Sequence, residues 1–132
     1  MATSSTSPED VSANMKALTK SIFDGFHTGT NESLLPNAAS DFEYHLHPAS
    51  LQMEKMTRAD FVAFWETNVA PILEDFHASF HSETYDVEAR RSVVHLSSTA
   101  DTPLGKQTWQ NEAMFICQFS DDGNTLLKID EL

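Results

Sequence analysis

Residues 57–89 read TRADFVAFWETNVAPILEDFHASFHSETYDVEA, and the hydrophobic period changes inside them. Thr57 with Asp60 three residues on is a variant of the capping box and opens a helix. Phe61, Phe64, Trp65, Val69, Ile72, Leu73 and Phe76 then recur every three or four positions, which makes one apolar stripe. Pro71 falls within that stripe and predicts a kink or local break, because it has no N–H and its ring crowds the preceding turn. From His77 onward the pattern is that of strands. Three further β-rich runs follow: SVVHLSSTADT at 92–102, QTWQNEAMFICQFS at 107–120 and NTLLKIDEL at 124–132. Breaks fall at Glu88 to Arg91, at Pro103-Leu104-Gly105 and at Asp121-Asp122-Gly123-Asn124, the last with the composition of a hairpin turn.

Upstream, Ser7 can cap a helix whose first residue is Pro8, with Asp10 three residues after the cap. Val11, Met15, Leu18, Ile22 and Phe26 make its apolar face, and Gly29 is a fair stop. A short turn or helix around Glu32 to Leu35 ends at Pro36. In DFEYHLH, residues 41–47, Phe42, Tyr44 and Leu46 share one strand face while Glu43, His45 and His47 share the other. The order is two helices, a strand, a long helix and four strands. It predicts an α+β domain in which a curved sheet wraps around the helices and encloses a pocket.

The chain has 132 residues and is 40% hydrophobic, with nine phenylalanines, two tryptophans and two tyrosines, enough for one buried core. We expect a flexible tail over residues 1–9 and a single domain over 10–132. The start, MATSSTSPED, has neither a basic region nor an apolar segment, so it does not read as a secretory signal, and an intracellular, cytoplasmic protein is expected. The Asn31-Glu32-Ser33 sequon then carries no meaning. The formal charge of −12 disfavours nucleic acid as a partner, and no apolar run is long enough for a membrane. Cys117, the one cysteine, lies in an apolar strand and reads as a core thiol.

The segments HPASL at 47–51, the helix of 57–76, VVHLSSTADTPLG at 93–105 and the tail from Asn111 to Leu132 resemble SnoaL-like and ketosteroid isomerase-like proteins of the nuclear transport factor 2-like superfamily, particularly small fungal members. The resemblance covers about residues 10 to 132. It implies a cone-shaped, antiparallel or mixed sheet around N-terminal helices, often in a homodimer, with no required metal or cofactor. It also implies isomerase, polyketide cyclase, dehydratase (lyase) or rearrangement chemistry of secondary metabolism, although the same fold hosts non-catalytic binders. Ala113 stands where relatives often have an aromatic residue after the Asn-Glu pair, which would leave extra room. The chain also stops at Leu132, a few residues short of where relatives tend to end.

Proton transfer needs an acid or base of tuned pKa and a donor where negative charge develops. Tyr44, on the apolar strand face, is a candidate donor. His81 and His95, with Tyr44 and Asn111, resemble the histidine, tyrosine and asparagine set of scytalone dehydratase in element order. Asp130 is the candidate carboxylate base, because relatives keep an acidic residue in the last strand. Phe61, Trp65, Trp109 and Met114 are candidate substrate walls, with core packing as the plain alternative. The ketosteroid isomerase pattern of base, protonated acid and tyrosine is not visible, so steroid isomerisation is not expected. His45 and His47 are expected outside the pocket, and a lone His-x-His names no third metal ligand. No Gly-x-Ser-x-Gly and no Gly-rich phosphate loop occurs. The expected function is cofactor-independent acid–base catalysis on a polyketide-like or polycyclic molecule, with a small-molecule binder or protein-interaction module as the alternative.

Overall fold

The computed structural model describes residues 7–72, 74–102 and 108–132. Helix α1 spans Pro8–Thr28; Ser7 accepts from the Asp10 N–H at its start, and Gly29 closes it in the left-handed conformation at φ 67°. Its buried side chains include Val11, Met15, Leu18, Ile22, Phe23 and Phe26, the face read from the sequence. Strand β1 (Ala38–Leu46) follows, then helix α2 (Arg58–Phe64), β2 (Glu74–Asp86), β3 (Arg91–Asp101), β4 (Thr108–Phe119) and β5 (Leu126–Glu131). The segment around Glu32 to Leu35 is a pair of turns held by Thr30 and Ser33, not a helix, so two helices rather than three fill the sheet. The predicted break at 103–105 lies outside the described residues.

The five strands form one sheet in the order β1-β5-β4-β3-β2. β1 runs parallel to β5 and the other pairs are antiparallel. The sheet is therefore mixed, and its chain order places the first and last strands side by side. One face buries Phe42 and Tyr44, Val94 and Leu96, Ala113, Phe115, Cys117 and Phe119, and Leu126 and Ile129 against α1. That apolar area, removed from water on both sides, is the main source of stability.

The expected long helix of 57–76 is shorter than its stripe. Thr57 and Asp60 make the full capping box. After Phe64 the helix widens into a π-turn over Trp65–Val69, where the Ala70 N–H donates to the Trp65 carbonyl at 2.8 Å. Pro71 explains the stop: it offers no N–H, and its ring excludes a normal helical turn before it. Ile72 is left exposed and Phe76 belongs to β2. Arg58 fixes where this helix sits, donating to the carbonyls of Asn31, Leu34 and Leu35. Gly25 permits the same turn to lie on α1, since a Cβ there would come within 2.0 Å of the Ser33 carbonyl oxygen.

Candidate active site

Between the π-turn and the sheet lies a cavity of about 230 Å³. Phe23, Phe26, Phe61, Trp65, Phe76, Trp109 and Phe115 supply its aromatic wall. Trp65 stands among Phe26, Phe61 and Phe76, with ring centroids at 5.2, 6.2 and 5.9 Å. The widened turn also aims Asn68 and Val69 into the space. Only a few polar side chains interrupt the wall: Tyr44, Asn68, Ser98, Asn111 and Glu131. Glu131 is the one carboxylate among the described lining residues, and no histidine or cation is among them.

Strand pairing brings Tyr44 and Glu131 together. Tyr44 lies opposite Ile129 and Leu46 opposite Glu131 in the parallel β1–β5 ladder. Inward-facing positions two apart therefore put the phenol beside the carboxylate. The Tyr44 hydroxyl donates to Glu131 Oε1. The tyrosine is held on its other side by stacking on Phe61, centroid to centroid 4.3 Å. Its backbone is pinned by two hydrogen bonds to Met56, at 2.8 and 2.9 Å.

This environment tunes both groups. Burial lifts the Glu131 carboxyl above the usual carboxylate range, and the Tyr44 hydrogen bond pulls it partly back. Burial first, then the charge of Glu131, raise the Tyr44 phenol well above its ordinary value, so it stays a donor. An apolar cavity that contains a carboxyl with a raised pKa and a fixed hydroxyl can move a proton and stabilise an oxyanion. Cys117 is inert by comparison: burial pushes its thiol up to about 12, and it does not line the cavity.

The sequence-derived candidates divide by face. Tyr44, Asn111, Phe61, Trp65 and Trp109 line the cavity. His81, His95, Asp130 and Met114 do not. On β3 the buried residues are Ser92, Val94, Leu96, Ser98 and Ala100, so alternation turns His95 to the convex face, where it meets Glu112 at 3.1 Å. Met114, paired with His95 on β4, is turned the same way and is 44% exposed. A bulge between Phe80 and Ser82 puts His81 on that face too, its ring 4.8 Å from His95 and its Nε2 within hydrogen-bond distance of Ser97 Oγ. Asp130 points outward to His47 at 2.8 Å and Lys128 at 3.5 Å. His45 pairs with Glu43 at 2.9 Å, outside the cavity as expected. Among the described residues no cluster of three or more His, Cys, Asp or Glu side chains is arranged to hold a metal.

Sequence reasoning missed Glu131, Ser98 and Asn68. For Glu131 the signal was present: Ile129 is an obligate core residue, so period two sends Glu131 inward and Asp130 outward.

No family model matches the chain. Its architecture nevertheless has close counterparts. BvnE pinacolase from Penicillium brevicompactum superposes with a TM-score of 0.82 at 18% identity, over 92% of this chain and 86% of that one. The Δ5-3-ketosteroid isomerase from Mycobacterium sp. does so at 0.71 and 14%, over 90% and 92%. The fold is nuclear transport factor 2-like. That bears out the resemblance read from the sequence, and the cone-shaped mixed sheet with it. Two curated fungal relatives carry monooxygenase names. Monooxygenase dmxR10 of Cryptosporiopsis sp. is 24% identical over 91% of this chain and 80% of its own length. Monooxygenase ptaG of Pestalotiopsis fici is 27% identical over 92% and 82%. None of the described helices is long and apolar enough to cross a membrane.

Proposed function

We propose that this chain is a cofactor-independent isomerase, cyclase or dehydratase that acts on a polyketide-like or polycyclic molecule of secondary metabolism by acid–base catalysis. The observation that carries the reading is the Tyr44–Glu131 pair inside an otherwise apolar cavity. Glu131, as carboxylate, removes a proton from carbon next to a carbonyl and returns it elsewhere as the acid. Tyr44 positions that carboxyl and offers its hydroxyl to the developing oxyanion once the substrate has taken the carboxyl's place as its acceptor. Aromatic rings exclude water, so the carboxylate meets the substrate poorly solvated and more basic. The pinacolase and the steroid isomerase of the same fold support this reading.

The test needs no prior substrate. Two-ring and three-ring aromatic ketones are incubated with the protein in D2O and exchange of their acidic C–H positions is followed by NMR. Enzyme-catalysed exchange that falls at least about 100-fold in Glu131→Gln supports the reading. No exchange above buffer, with the same ketones bound, supports a non-catalytic binder instead. The monooxygenase names favour a second reading, in which the same base activates an electron-rich CH2 group that dioxygen converts to C=O with water as the other product. Oxygen uptake during the same assay separates the two.

We also keep a homodimer as part of the reading, in the cytoplasm. Its interface would be the convex face, where Met114 is exposed and Val93 and Ile116 are half-buried neighbours in register. Sedimentation of Met114→Glu beside the wild type tests it: a dimer that dissociates supports the interface, and two identical species reject it.

A further inference from the structure

The cavity has a second polar site that the Tyr44–Glu131 pair does not use. Ser98 and Asn111 are directly opposite one another on β3 and β4, and both line the cavity. Ser98 is only 4% exposed, yet neither its hydroxyl nor the Asn111 amide has a hydrogen-bonding side chain or backbone partner among the described residues. Among the described residues no side-chain oxygen or nitrogen sealed from solvent lacks a partner, so the Ser98 hydroxyl opens onto the cavity, where a ligand atom can take its bonding.

The register fixes how far apart the two polar sites are. Glu131 lies opposite Phe115, and Phe115 is four residues along β4 from Asn111. At about 3.3 Å per residue that is about 13 Å along the sheet floor. Between them, on the same face, come Ala113 and its partner Leu96. Of these two Leu96 lines the cavity and forms the middle of its floor. A cavity of about 150 Å³ holds one benzene ring. The 230 Å³ here therefore fits a body of about two rings, not four.

We propose that Ser98 and Asn111 are a distal anchor, and that the substrate is a neutral molecule of about two rings with a hydrogen-bonding oxygen at each end. One oxygen lies at Tyr44 and Glu131, the other at Ser98 and Asn111, and the rings rest over Leu96 between the aromatic walls. The proposal rests on the acid–base reading for the role of the first end only. Charge agrees with a neutral ligand: no cation lines the described cavity to neutralise an anionic one. A carboxylated substrate would meet Glu131 unpaired.

The test uses two probes, 2,6-dihydroxynaphthalene with an oxygen at both ends and 2-naphthol with one, titrated against tryptophan fluorescence of Trp65 and Trp109 in the wall. The diol is expected to bind the wild type about tenfold tighter, the value of one good hydrogen-bonding end. Ser98→Ala with Asn111→Ala should erase that gap and leave 2-naphthol unchanged. Leu96→Phe should weaken both probes, with circular dichroism showing the fold retained. Equal binding of the two probes by the wild type, or equal loss of both in the double variant, overturns the distal anchor. Wild-type affinity in Leu96→Phe overturns the placement of the rings. Glu131→Gln keeps the two failures apart. If the probe contrast survives and the exchange assay shows no dependence on Glu131, the anchor stands and the acid–base reading falls.

Discussion

The two faces of the same sheet treat their polar residues in opposite ways. On the convex face, His45, His47, His81 and His95 stand beside Glu43, Asp130, Ser97 and Glu112 in water-facing pairs. Glu43 shows the consequence: hydrogen bonds from His45 and then Lys55 hold its carboxyl below the ordinary range. On the concave face Glu131 sits among aromatic rings with one neutral donor, and burial pushes it the other way. Asp130 and Glu131 are adjacent in sequence and are separated only by the alternation of a strand. The ionisation of these carboxyls is set by face, because desolvation acts on one side of the sheet and water screens the other.

The largest effect that would break this contrast is on activity. Glu131→Gln should reduce proton exchange at least about 100-fold, and Asp130→Asn should leave it within about twofold, measured in the D2O assay. Equal losses would mean that the face does not matter. Next comes Tyr44→Phe. It removes the hydrogen bond that lowers the Glu131 pKa and leaves desolvation alone, so the carboxyl rises further. A base must be ionised to act, so the rising limb of the rate against pH should move to higher pH, and the rate at pH 7 should fall about tenfold.

Stability sharpens the comparison in the opposite sense. The folded pKa of Glu131 is raised, so the folded state holds its proton more tightly than the unfolded chain does. Its contribution is full below the unfolded carboxylate pKa and is lost as pH climbs through the folded one. Melting curves of Glu131→Gln should therefore gain on the wild type as pH rises from about 4 to 8. An inactive variant that is relatively more stable at neutral pH is the signature of a group kept for function. The smallest effects belong to the convex face. Asp130→Asn and His95→Ala, each losing a pair that is partly exposed in the monomer, should shift the monomer's unfolding free energy by no more than about 1 kcal/mol in denaturant titrations.

How much of this was legible in the sequence follows the same division. The start and the buried stripe of α1, the capping box at Thr57, the inward face of β1 and the turn at 121–124 all read correctly, because each rests on local spacing. Trp109 and Asn111 were placed together in the cavity because period two held along β4. Three features did not read. The end of the long helix depended on how the chain answers Pro71, and a π-turn with an early strand was not distinguishable from a kinked helix. The histidines were misplaced because a bulge at Phe80–Ser82 is a pairing irregularity with no composition signal, and because β3 was read without a fixed register. The acid in β5 was sought at Asp130 by resemblance, although Ile129 already pointed to Glu131. Ser98 and Asn68 carry no local mark of function. Their significance comes from the partner strand and from the widened turn, which only the folded chain brings together.

The most direct test of the account is a carbon-13 NMR titration of the glutamate side-chain carboxyls, with the Glu131 signal assigned by its loss in Glu131→Gln. The account predicts that Glu131 titrates above the other glutamates and moves higher still in Tyr44→Phe. A Glu131 carboxyl that titrates with the exposed glutamates, or that falls when Tyr44 loses its hydroxyl, would contradict it.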